Sequence, residues 1–381
     1  MLSQRLKQLR LARGLSLEEL SKRIEGMVTK QALSKYEQGS MAPSQRVVNK
    51  LAEVLGVKAV YLLSEPVVEI KFVAHRKASG LTKREDERIK SVVRVELEQR
   101  FRLQVLSDQL LGPRLPTKPL SISSEEDVEG VAESLRAKWD LGKDPIASVV
   151  DVLEDRLVHV LEVEADRKFD GISAIALGER RKVRCAAVVT RRGIAADRQR
   201  FTKAHELGHL VLKVPGQVNE EKAAHRFAGA FLAPKDAIRR EVGNSRDNIG
   251  IEEMLLLKRR YGMSIQALLY RLKDLEIITG GYYRLWCMEV SRNGWRREEP
   301  EPLVPEKPRW LRQNVVRALS EKWITRDEAE MMLGEPLAIG APVSVVGRRA
   351  FARLSVEERG NVLEKEAAGM GDYYKNNRPD D

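Results

Sequence analysis

Apolar residues fall at helical spacing from the start of the chain. Leu2, Leu6 and Leu9 share one face, and Gly14 ends the run. "SLEE" from Ser16 reads as a capping box that opens a second helix reaching about Glu25. "GMV" is a turn, Thr29 caps a third helix that stops at Gly39, and "PS" before Gln45 starts a fourth that stops at Gly56. Five short helices therefore fit the first 63 residues. A linker is expected at 64–82. After it, Ile89, Val93, Leu97, Phe101 and Val105 mark the buried face of a long helix.

"GPRLPTKP" from Gly112 breaks that helix. "SSEE" from Ser123 is expected to cap another, with Val128, Val131, Leu135 and Trp139 on its stripe. The pattern then changes to strand-like runs, "RLVHVLEVE", "ISAIAL" and "VRCAAVVT". Helical spacing returns from Gln199 to about Leu275. "EEPEPLVPEKP" reads as a second linker, and a small helical tail with a capping box at Thr325 and Glu328 follows. The expected domains are 1–65, 66–123 (linker and long helix), 124–295, and 296–381 (Pro-rich linker and tail).

Composition narrows the function. With 43% hydrophobic and 32% charged residues, the chain reads as soluble and globular. Cys185 and Cys287 are far apart and have no CxxC partner, which argues against a disulfide framework or a cysteine zinc site and fits a reducing cytoplasm. No apolar run approaches a membrane span, so no membrane partner is expected. The net charge of +11 is unevenly placed: residues 1–63 hold 11 Lys/Arg against 5 Asp/Glu, a net of +6. That concentration points to a polyanion at the N-terminal end.

The helix, turn and helix between Leu15 and Gly39 suit a major-groove reader. Thr29, Lys30, Gln31, Ser34 and Lys35 sit at the start of its second helix, where base edges and phosphates are met. The bland alternative is a helical interaction domain with a solvated basic face. "KRRYGMSIQALLYRLK" from Lys258 has a similar outline, but its leucine-rich second helix predicts packing against its own domain.

"FTKAHELGHLVL" carries the chemistry. His205 and His209 lie one helical turn apart on one face and can share a metal; Glu206 lies about 100° round, where it can reach a water. Three fixed residues are weak evidence alone, because HExxH also arises by chance. A third ligand is expected on the helix after "PGQVN". Glu221 is preferred there, with Glu220 and His225 as rivals and His225 also a candidate partner of a ligand. Small Gly208, Ala224 and Ala228 would let the two helices approach closely. Three side chains and a water make a catalytic Zn2+ site. Tyr282, Tyr283 and His225 are candidate second oxyanion donors, and "CAAVVT" a candidate edge for an extended peptide.

"DRQRFTKAHELGHLVL" with "EKAAHRFAGAFLAP" resembles the ImmA/IrrE metallopeptidase family, as do "KFDGISA", "LLLKRRYGMSIQALLYRLKDLEIIT" and "RALSEKWITRDEAEMML". Ser3–Leu63 resembles the Cro/cI-type (XRE) domain. The resemblance implies an α+β, mostly α architecture: a five-helix, lambda-repressor-like helix-turn-helix domain, a zincin-like domain with a small sheet, and a helical tail. It also implies His205, His209 and Glu221 as zinc ligands, Glu206 as general base, and cleavage of a helix-turn-helix repressor. The expectation is a cytoplasmic regulator that binds a double-stranded DNA operator and cleaves itself or a partner to derepress phage, mobile-element or stress genes. A homodimer is a candidate assembly. The alternative is a non-proteolytic repressor or toxin–antitoxin-type regulator whose zinc domain only senses or binds.

Overall fold

A computed structural model describes residues 2–74, 81–108, 112–116 and 118–337, with a few positions between 354 and 364. Met1–Leu333 form one compact unit and Gly334–Asp381 a second, so the end of the expected tail lies almost wholly outside the described residues.

The five N-terminal helices are α1 (Leu2–Ala12), α2 (Leu17–Arg23), α3 (Lys30–Gln38), α4 (Gln45–Val54) and α5 (Ala59–Leu63). Ser16, with Glu19 reaching back, forms the capping box of α2, and Thr29 and Ser44 cap α3 and α4. Each satisfies an N–H that the first helical turn leaves unpaired. Leu6, Leu20, Ile24, Leu33 and Leu51 fill the core between the five helices. Arg10 of α1 grips Glu37 of α3 at 2.6 and 2.8 Å.

The segment expected as a linker at 64–82 holds strand β1 (Glu69–Ala74). Glu69, Lys71 and Val73 alternate with Ile70 and Phe72, and the apolar pair packs against a core. The charges between them hid that pattern. The long helix α6 (Lys83–Leu106) follows. Ile89, Val93 and Leu97 are buried as expected, whereas Val105 is exposed.

β2 (Leu120–Ser121) precedes α7 (Asp127–Lys138) and α8 (Val149–Glu154). Ser123 does not cap α7. The backbone N–H groups of Ser123 and Ser124 instead donate to the Asp127 carboxylate, so the helix starts later than the sequence pattern implied. β3 (Val158–Val163), β4 (Gly171–Leu177) and β5 (Val183–Arg191) complete a four-stranded sheet in the order β1-β4-β5-β3. β3 and β5 run parallel; β4 runs antiparallel to β5 and to β1.

Strand alternation sorts the two faces of the sheet. Leu161, Ile172, Ala174, Ala176, Cys185, Ala187 and Val189 pack with α6. Val158, Val160, Ala186 and Val188 face the helices that follow. These are α9 (Ala196–Val211), α10 (Glu220–Leu232), α11 (Lys235–Val242), α12 (Ile251–Tyr261), α13 (Ile265–Asp274) and α14 (Gly280–Arg292), with β6 (Leu212–Lys213) pairing β2 after α9. Leu268, Leu269 and Leu272 of α13 are buried in this core, as the leucine-rich pattern predicted.

The proline-rich stretch before α15 (Trp310–Ser320) and α16 (Arg326–Leu333) is no free linker. Glu299 accepts from the backbone of Ile265 at 2.8 Å and pairs buried Lys258 at 2.8 Å, and Lys258 also holds Asp197 at 2.8 Å. Glu306 pairs Arg200 and accepts from Val150 N. Glu154 accepts from the N–H groups of Arg309 and Trp310, at the start of α15. Glu299 and Glu306, beside the prolines, and Glu154 of α8 thus strap the segment to α8, α9, α12 and α13. The capping box at Thr325 and Glu328 forms as expected.

Candidate active site

α9 and α10 lie against each other, joined by the turn that Pro215 and Gly216 begin. A Cβ on Gly208 would stand 3.1 Å from the Phe227 ring and 3.3 Å from Ala224 Cα, so the close approach depends on a residue without a side chain. That approach brings His205, His209 and Glu221 together. The two imidazole Nε2 atoms are 3.2 Å apart. The Glu221 carboxylate is 3.4 Å from His205 Nε2 and 3.8 Å from His209 Nε2.

These distances test whether a metal fits. Zinc–nitrogen bonds of about 2.0–2.1 Å at the tetrahedral angle set neighbouring ligand atoms about 3.3–3.4 Å apart. The observed 3.2 Å and the 3.4 Å from His205 Nε2 to Glu221 Oε2 match that edge, and the other carboxylate oxygen, Oε1, stands 3.8 Å from His209 Nε2. Two imidazole nitrogens and a carboxylate oxygen are also donors that zinc prefers. Of the rivals for the third position, Glu220 sits 3.4 Å from His209 Nδ1, on the side of that ring away from Nε2. It holds the place expected of a ligand's partner, which the sequence reading had offered to His225. Burial, and then His205, hold the His209 pKa below the usual histidine value, against the pull of Glu221 and Glu220.

Glu206 is buried, and its ligand oxygen lies within 4.8 Å of the ring nitrogens of His205 and His209. It rests on the backbone of Gly171 at the start of β4, where a Cβ would stand 2.6 Å from Oε1. Burial pushes its carboxyl up to about 8; Ser173 opposes this, and the charges of Glu221 and Asp170 add to it. Neither Glu206 Oε2 nor Ser173 Oγ closes a hydrogen bond of normal geometry. A buried carboxylate oxygen without a partner is costly unless a ligand meets it.

The cleft in front of these groups encloses about 470 Å³. Besides the residues above, Phe169, Phe201, His225 and Tyr270 line it, with Asp170, Arg198 and Lys222 at the rim. Sequence reasoning missed Gly171, Ser173 and Tyr270. The first two lie in the quoted "KFDGISA" run but reach Glu206 only through the sheet. Tyr270 sits among the buried leucines of α13, with no pattern to set it apart. Two expectations need correction. The Tyr282 hydroxyl is spent on Ile249 N at 2.9 Å and Asn248 at 3.2 Å, and neither Tyr282 nor Tyr283 lines the cleft. "CAAVVT" offers no edge, because β5 is paired on both sides, by β4 and β3.

At the N-terminal end, Lys30, Gln31 and Lys35 are exposed on α3 while Leu33 and Tyr36 turn inward. Ser34 Oγ accepts from Gln38 at 3.2 Å, and the Thr29 hydroxyl accepts from Ala32 N as the cap.

Residues 6–62 match the helix-turn-helix family, and residues 191–273 match the family of IrrE N-terminal-like domains. The class is therefore a DNA-binding helix-turn-helix domain joined to a metallopeptidase-family domain. More narrowly, the first is of the XRE type and the second of the ImmA/IrrE type, as the resemblance implied. No curated protein matches the chain. Among the described residues, no helix is long and apolar enough to cross a membrane.

Proposed function

We propose that this DNA-binding regulator is a zinc endopeptidase of the cytoplasm that cleaves a helix-turn-helix repressor, its own or a partner's. The observation that carries the reading is the buried Glu206 carboxylate, packed through Oε1 on Gly171 beside two imidazoles and a carboxylate at tetrahedral spacing. His205, His209 and Glu221 would hold the zinc, and Glu220 would orient His209. Bound zinc would supply Lewis acidity toward a peptide carbonyl and acidify a water. Glu206 takes the proton of the attacking water and passes it to the leaving amine. Its buried, fixed carboxylate suits both steps. Lys30, Gln31, Ser34 and Lys35 read the operator from α3, and Thr29 fixes the start of that helix.

The purified protein is expected to hold about one zinc per chain, and His209→Ala to lose it. Glu206→Gln should keep zinc and operator binding, stop cleavage of the candidate repressor, and abolish induction of a reporter. A variant that binds its operator and still induces would establish the non-proteolytic regulator instead.

A further inference from the structure

His225 lies on α10 one turn beyond Glu221 and lines the same cleft. Its ring is framed by other rings: Phe201 at 4.7 Å, Tyr270 edge-on at 4.9 Å, and His205 at 6.4 Å. Neither ring nitrogen has a hydrogen-bond partner among the described residues, and neither is sealed from solvent. The other described histidines differ. His159 meets Gln104 at 3.0 Å, while His205 and His209 each face a carboxylate. An imidazole that is half-buried, locked by aromatic packing and left without a partner gives up a hydrogen bond unless a ligand completes it. The aromatic frame restrains the ring, which is what a preorganised donor needs.

We propose that His225 is a catalytic residue that donates a ring N–H to the oxygen of the attacked peptide carbonyl. This rests on the endopeptidase reading above. As the water oxygen bonds to the carbonyl carbon, the C=O π pair moves onto the carbonyl oxygen. The water's proton goes to Glu206 and then to the amine nitrogen, and the C–N bond breaks as C=O re-forms. His225 exchanges no proton in these steps. It holds the oxygen while that atom carries negative charge, the task for which the sequence had offered His225 beside Tyr282 and Tyr283, neither of which lines the cleft.

The test uses the full zinc-loaded chain and two peptide ligands of one sequence. One is a phosphonamidate, tetrahedral and anionic where the carbonyl is attacked; the other is a mercaptoacyl peptide, which lacks those oxygens. His225→Phe keeps the aromatic packing and removes the donor; His225→Gln restores an N–H. Calorimetry should show His225→Phe binding the phosphonamidate more weakly, on the order of 10- to 100-fold, with zinc content and mercaptoacyl affinity unchanged. His225→Gln should recover part of the loss. Unchanged phosphonamidate binding in His225→Phe, or equal loss of both ligands, would overturn the donor role while leaving the peptidase reading intact. A native chain that binds neither ligand and cleaves nothing would overturn both.

Discussion

A methyl group on Gly171 would stand 2.6 Å from Glu206 Oε1 and 3.0 Å from its Cδ and Cγ, so Gly171→Ala must displace the carboxylate. The proposed zinc ligands lie on α9 and α10, not on β4. Gly171→Ala is therefore expected to keep its zinc and lose peptide cleavage by about 100-fold, the scale of a 1 Å misplacement. Metal analysis beside a single-turnover cleavage assay checks it, and full activity would mean that Glu206 does not act from this pose. The motif alone shows His205, Glu206 and His209. What supports Glu206 is not local: Gly171 lies 35 positions away along the chain, so no spacing rule reveals it.

α6 works on two faces. Ile89, Val93 and Leu97 pack on the sheet, and their spacing made that face legible. The other face holds Val95 against the N-terminal core, and buried Glu98, which accepts from the two terminal guanidinium nitrogens of Arg5 at 2.9 and 3.0 Å. Tyr61 at 3.2 Å and Arg102 at 3.1 Å complete the cluster. Burial raises the Glu98 carboxyl, but Arg5 and Arg102 outweigh it and leave its pKa below the usual glutamate value. In the sequence these residues look like an ordinary charged helix surface. Glu98→Ala would leave Arg5, 2% exposed, without its partner, at a cost of roughly 3–5 kcal/mol. Calorimetry should then resolve the helix-turn-helix domain as a separate, earlier unfolding transition. One transition at the native temperature would show that the cluster does not join the domains.

The same cluster changes how the molecule acts as a whole. A 64–82 linker would have let the reader swing free of the cleft, but β1 occupies its middle and Arg5 donates to Ser64 O at 2.9 Å. Reader and cleft belong to one compact unit, with α1 packed on α6 and α6 on the sheet face opposite α9. Reach along DNA is set by that packing and not by chain length. The exposed side chains of α3 are the ones proposed above to meet the operator. If they reach base edges as proposed, Lys30→Ala and Gln31→Ala should weaken operator binding more than binding to random duplex. Fluorescence anisotropy over a salt series measures both, and equal losses would remove the base-reading assignment while leaving phosphate binding.

The sequence by itself determined whatever depends on neighbours within a few turns. The helices, the caps at Ser16, Thr29 and Thr325, the metal-type pair at His205 and His209, and the reader helix follow from periodicity and capping chemistry. Charge density already marked the N-terminal end as the one that meets a polyanion. Tertiary structure alone decided what depends on residues far apart. It made β1 an edge strand, made the proline-rich stretch a strap, set Gly171 beneath Glu206 and framed His225 with Phe201 and Tyr270 at the cleft. The physical reason is that a polar or small residue carries no periodic signal. Its role appears only when folding supplies the partner, or the missing space, that burial demands.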